Sequence, residues 1–181
     1  SYRLVTSPAE AVLDVAHLER LRSGESRVEL GLDFATESGD ARTHRLKIYL
    51  CERPYLTDIL PVVHPFGVRV VDATLTEIRT PVPRALWIVS FRIEPMTDAA
   101  ATPGDVPTGE IEGRVLDGLR AALSRRADSD ELNRLVLEAG LDWRSVDVLR
   151  AYLEYARQIG HAPAGSLASD ALVRHPAATR A

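Results

Sequence analysis

Glu52, Arg53, Tyr55 and Thr57 have the best claim to chemistry in this chain. They sit in ERPYLTDIL, residues 52–60. An Arg side chain suits a carboxylate through two parallel N–H bonds, and a neighbouring Glu suits an ammonium group. Such a turn would hold the two charged ends of an amino acid. The same two residues equally suit a solvated ion pair in a surface turn, so both readings stand at this point.

Catalysis needs groups that converge, and the remaining candidates do not. The five histidines, His17, His44, His64, His161 and His175, show no metal-ligand spacing, and Cys51 is the only cysteine. No metal site is predicted. No G-x-G-x-x-G follows a strand, so no dinucleotide fingerprint is present. Gly113 and Gly118 fall inside a helical pattern without the Lys-Ser/Thr of a phosphate loop. Cys51 reads as a small buried residue, the usual fate of a free cysteine. Trp87 and Phe91 alternate along a strand and read as core rather than as a ligand pocket. Tyr152 and Tyr155 lie near a helix surface, where intramolecular packing and contact with a partner are equally weighted. No catalytic residue is predicted in these 181 residues.

The bulk properties narrow the class further. The net charge is -4, with 45% hydrophobic and 27% charged residues. Mild acidity argues against a nucleic-acid partner. No apolar run approaches the roughly 18 residues of a membrane helix. A lone cysteine allows no internal disulfide, and a reducing cytoplasm is the expected compartment. Lys47 stands alone among arginines and reads as genome composition. The sequence starts at Ser1 and stops at ATRA, which reads as part of something longer.

The elements that must position these residues follow from patterning. Ser7, Pro8 and Glu10 predict a capping box, and Gly24 a helix end. Val12, Val15 and Ala16 continue that helix. Val28, Leu30, Leu32 and Phe34 alternate with Arg27, Glu29, Gly31 and Asp33, which predicts a half-buried strand over 27–37. After SGDA, Leu46, Ile48 and Leu50 repeat the pattern, so the two runs form an antiparallel hairpin. Leu56, Ile59, Leu60 and Val63 make a short helix with Pro61 inside. Strands follow over VRVVDATLTEI and ALWIVSFRI, then a loose loop or lid over 95–107. Ile111, Val115, Leu119 and Leu123 form a helical stripe. Asp128 and Glu131 frame a capping box, Asp142 opens a further helix, and SLASDALVRH begins one that runs to the end.

The expected fold class is α+β. The order β-β-α-β-β-α describes a permuted ferredoxin-like unit: a four-stranded antiparallel sheet covered by helices, those holding Leu56 and Leu119, with a helical segment after it. The expected division is an N-terminal helix over 1–24, the α+β domain over 25–127, and a helical linker over 128–181.

ERPYLTDIL resembles the strand-to-helix turn of ACT domains. LNRLVLEAGLDWRSVDVLRAYLEYARQIG, residues 132–160, resembles a signature of the large bacterial NAD-specific glutamate dehydrogenases. RLKIYL, DILPVVHPFGVRVVD and ALVRHPAATR resemble that family in the same order. The resemblance implies an ACT-like module in the N-terminal region of such an enzyme, leading toward a catalytic core that lies elsewhere. It implies NAD as cofactor of the parent, none in this segment, assembly with other domains and subunits of a homo-oligomer, and an amino-acid effector as a candidate ligand. Tyr55 stands where ligand-binding ACT turns carry Gly, and its ring would crowd an amino acid there. The turn is therefore expected to be architectural, with Tyr55 packed on the helix near Asp142 and Trp143 or on another subunit. Three functions stay open: a regulatory or scaffolding module, an amino-acid sensor, and an oligomerisation module.

Overall fold

Ser7 starts the first helix as its pattern requires. Its side chain accepts from the Glu10 amide and the Glu10 carboxylate accepts from the Ser7 amide, closing the capping box over α1 (Pro8–Ser23). Gly24 ends the helix in the left-handed conformation, at φ 79°. The computed structural model describes residues 6–33, 43–80, 85–96, 108–161 and 166–180. The SGDA turn, Phe34, the 95–107 loop beyond Met96 and the HAPAG break lie largely or wholly outside them.

Four strands form one sheet: β1 (Val28–Asp33), β2 (His44–Leu50), β3 (Val68–Ile78) and β4 (Leu86–Pro95), in the order β1-β2-β4-β3. β1 pairs antiparallel with β2, Leu30 opposite Ile48, and β2 pairs antiparallel with β4, Ile48 opposite Val89. β1 thus takes the edge place beside β2, as the permuted arrangement requires. The fold is the ACT-like, four-stranded antiparallel sheet with helices, followed by a helical region.

The register sorts the sheet into two faces. One carries Val28, Leu30, Leu46, Ile48, Val89, Phe91 and Ile93, all buried. Phe91 is core as expected, while Trp87 is only half-buried. The other face meets α1, which contacts β1 and β2. At one end, Leu21, Tyr49, Leu86 and Ile88 form an apolar cluster, with Leu18, Cys51 and Ile78 against it. Elsewhere charged groups enter this interface, with Leu13 and Leu32 beside them. Here the sequence reading needs correction: Val12 and Val15 on α1 face outward, 70% and 55% exposed, and Asp14 is buried.

The chain divides into two compact units, Ser1–Asp58 with Val70–Glu94, and Ile59–Arg69 with Pro95–Ala181. α2 (Leu56–Val63), whose residues from Ile59 on belong to the second unit, runs into a single 3-10 turn over His64–Phe66, and Gly67 closes it at φ 78°. Pro61 and Val62 present carbonyls to the Ser129 hydroxyl. Then come α3 (Thr108–Leu123), a 3-10 turn over Glu131–Asn133, α4 (Arg134–Glu138), α5 (Trp143–Gln158), α6 (Leu167–Arg174) and α7 (Pro176–Arg180). Asp130, not Asp128, caps the turn before α4, accepting from the Leu132 amide. The expected single C-terminal helix is two, because Pro176 lacks an N–H and starts a new helix. Gly118 on α3 lies under the buried Phe66 ring: a Cβ there would sit 2.8 Å from it. Gly118→Ala is expected to destabilise the chain by about 1–3 kcal/mol through overpacking, read as a fall in the urea midpoint with unchanged slope.

Candidate functional site

The predicted turn is placed as an open surface. Glu52, Arg53, Tyr55 and Thr57 are all exposed, Tyr55 at 64%. The Arg53 guanidinium stacks over Trp87, 5.7 Å from the ring centre. The Tyr55 carbonyl accepts from the Asp58 amide at 3.1 Å, opening α2. Among the described residues the only non-glycine at positive φ is Arg125. Tyr55 therefore occupies ordinary backbone, and this turn has no conformational need for Gly.

Polar groups converge beneath α1 instead. The helix projects Glu10, Asp14 and His17 toward the sheet at i, i+4 and i+7. The antiparallel register sets Gly31 opposite Lys47 and Glu29 opposite Tyr49. Asp14 is 1% exposed. Its carboxylate accepts from Lys47 Nζ at 2.9 and 3.0 Å and from the Tyr49 hydroxyl at 2.7 Å. Glu10 accepts from Arg45 at 2.6 Å. His17 stacks on Tyr49, ring centres 4.6 Å apart, and its Nδ1 lies 3.1 Å from Glu29. Arg20 donates to Glu29 at 3.0 Å. Glu10, Asp14 and His17 of α1 and Arg45, Lys47 and Tyr49 of β2 border a cavity of about 230 Å³, which Leu13 and Leu32 also line.

Burial opposes ionisation of Glu29, but His17 and Arg20 outweigh it and hold its carboxyl below the usual glutamate range. Burial likewise opposes ionisation of Glu10, and Ser7, Lys47 and Arg45 outweigh it. A carboxyl whose folded pKa is depressed contributes stability above its unfolded pKa, and that stability is lost as pH falls through the folded value. Stability is therefore expected to fall on acidification from the ordinary glutamate pKa downward. Glu29→Gln should flatten that acid limb in thermal melts; a limb of unchanged steepness would exclude this residue as its source.

In the second unit Asp142 caps α5, accepting from the Arg144 and Ser145 amides. The Ser145 amide is the largest influence holding the Asp142 carboxyl below its usual range. Arg150 binds Asp130 through Nε at 2.6 Å and through Nη2 at 2.9 Å, Asn133 at 2.9 Å, and Asp147. This ties α5 to the turn before α4. Tyr152 and Tyr155 on α5 are 69% and 58% exposed, so intramolecular packing does not absorb them. Val148 and Ile159 complete an exposed stripe at spacings of four, three and four residues.

The sheet order and the helices after it define an ACT-type domain joined to a helical segment. Family comparison divides the chain in the same sense: the ACT3 domain of glutamate dehydrogenase matches residues 29–106, and helical motif 3 of glutamate dehydrogenase matches 127–181. The chain belongs to the large NAD-specific glutamate dehydrogenases, as a segment containing these two domains. It is 30% identical over 181 residues to the NAD-specific glutamate dehydrogenases of Mycobacterium tuberculosis and Halomonas elongata, covering 99% of this chain and 11% of each relative. It is 32% identical over 159 residues to that of Pseudomonas aeruginosa, covering 87% of this chain and 9% of the relative. The chain thus spans about a tenth of the length of these relatives.

Proposed function

We propose that this chain is a non-catalytic regulatory and scaffolding module of an NAD-specific glutamate dehydrogenase. The observation that carries the reading is the succession of an ACT3 domain and helical motif 3 in one short chain. In the parent, L-glutamate, NAD and water would give 2-oxoglutarate, ammonium and NADH, with the reacting groups and the NAD site in other domains. Residues 25–127 act as the ACT-like module, residues 1–24 precede it as a helix, and residues 128–181 lead toward the catalytic core. The setting is a cytoplasmic homo-oligomer under the control of an amino-acid effector.

The exposed Tyr152 and Tyr155 favour a second role in oligomerisation, since aromatic side chains are enriched at interface anchors. At the 52–57 turn, the exposed Tyr55 ring occupies space that an amino acid would need, and serves as an anchor for another domain or subunit. The test is excision of residues 25–127 from the parent. Turnover of glutamate should remain measurable, while the sedimentation coefficient or the response to amino acids changes. Abolished turnover in a variant that still folds and binds NAD would place the module in the active site and overturn the reading.

A further inference from the structure

Arg125 breaks a habit of this chain. The backbone turns left-handed at Gly24, Gly67, Gly140 and Gly160, all glycines, and among the described residues at Arg125 alone without one, at φ 56°. The position closes α3. The Arg125 amide donates to the Ala122 carbonyl at 3.0 Å and the Arg126 amide to the Ala121 carbonyl at 2.8 Å, the two bonds of a Schellman ending. Glycine is usual there, because a Cβ in this conformation crowds the following carbonyl oxygen. A cation at a helix C-terminus gains from the helix dipole, but Arg126 supplies one at the next position without the strain. A strained residue kept where a permissive one would serve directs attention to its side chain.

Arg125 has other unpaired cations for neighbours. Arg126, next in the chain, and Arg144 both lie on the Trp143 ring, their guanidinium carbons 5.9 and 4.5 Å from its centre. The three arginines are exposed and Trp143 is half-buried. None of the three makes an ion pair among the described residues. Arginines further along the same helices do: Arg114 with Glu110, Arg120 with Asp117, and Arg150 with Asp130 and Asp147. The Asp142 carboxylate, two residues before Arg144, is taken up by the Arg144 and Ser145 amides and the Ser145 hydroxyl. The indole N–H of Trp143 has no hydrogen-bond partner among the described residues and is not enclosed. Cations thus gather without a counter-charge in a chain whose net charge is -4.

We propose that Arg125, Arg126, Trp143 and Arg144 form a docking surface for an acidic segment of a partner polypeptide. A guanidinium takes a carboxylate through two parallel N–H bonds, and these have their donors free to do so. They stand on separate elements, the end of α3 and the start of α5, both in the second unit. That spread matches carboxylates spaced along a chain better than one compact anion. Arg and Trp are the residue types enriched where protein interfaces bind most strongly. The ring also holds two of the guanidiniums in place, so less freedom is lost when they pair. The partner's carboxylates would lie on the arginines, and a carbonyl would accept from the indole. This surface is separate from the 52–57 turn and from Tyr152 and Tyr155. It rests on the patch itself and not on the assignment of a parent enzyme.

The test is titration of poly-L-glutamate into the 181-residue chain carrying Trp87→Phe, which leaves Trp143 as the only tryptophan and its fluorescence as the signal. A saturable change is expected at low salt, weakening as sodium chloride is added. Arg126→Gln and Arg144→Gln should each weaken binding about three-fold or more, the share of one exposed ion pair. Arg125→Gly should weaken it likewise while melting at or above the temperature of the parent variant, because strain leaves with the charge. Arg174→Gln, exposed on α6, should leave binding unchanged. No saturable change, or binding unaltered in all the patch variants, would overturn the proposal. Tighter binding of tripolyphosphate than of poly-L-glutamate would make the patch a site for a compact anion and overturn it equally. A lower melting temperature for Arg125→Gly would return that arginine to a structural role and remove it from the surface.

Discussion

Asp14→Ala is expected to destabilise the chain by about 3–5 kcal/mol, the cost of removing the near partner of a buried ion pair and leaving Lys47 only Glu10, 3.8 Å away. The Lys47 side chain is 13% exposed and that of Asp14 2%, so water can replace little of what is lost. The Tyr49 hydroxyl loses its acceptor in the same step. Net stabilities of small domains are about 5–15 kcal/mol, so this single change would remove a large share. Chemical denaturation should register it as a lower midpoint. A paired replacement, Asp14→Leu with Lys47→Met, should recover most of the loss, because two apolar groups of similar shape leave no charge unpaired. If Asp14→Ala melts like the wild type, the ammonium of Lys47 has another route to solvent and the description of this interface is wrong.

Phe91→Ala is expected to cost about 3–5 kcal/mol, through lost burial and the cavity left behind. Phe91 is 0% exposed at the centre of the sheet, opposite Leu46 on β2. Its neighbour in register, Leu46, is held by the pairing of β2 with β4, so the site cannot collapse easily. Trp87, four residues earlier on the same strand, is half-buried and covered by Arg53. Trp87→Ala should therefore cost less. A larger loss at position 87 than at 91 would move the centre of the core toward the 52–57 turn.

The sheet was legible because alternation separates two faces whatever covers them. Val28 and Leu30 against Glu29 and Gly31, and Leu46 and Ile48 against Lys47 and Tyr49, placed β1 and β2 and their antiparallel pairing. The capping box of Ser7 and Glu10 located α1 to the residue. Alternation says only that the faces differ, however, and not that the polar one is wet. Glu29 and Lys47, on the polar side of that alternation, lie under α1, paired with Arg20 and Asp14. Two signals pointed there: Glu10, Asp14 and His17 recur at one-turn spacing, and the chain's one lysine faces them. The Asp130 cap was missed for a different reason. Asp128, Ser129 and Asp130 can all cap, and the choice among them is made by Arg150, twenty residues away, which binds Asp130. The 52–57 turn was read correctly as a strand-to-helix connection. Whether it holds a ligand depends on side chains arriving from elsewhere, which local spacing does not encode.

On the proposed reading, this ACT-like module and its helices do no chemistry of their own. The most direct measurement is NADH absorbance during incubation of the 181-residue chain with saturating L-glutamate and NAD, on a sample with a cooperative thermal melt. No rate above that of buffer is expected. Sustained NADH production by the purified, folded chain, abolished by omitting glutamate, would contradict it.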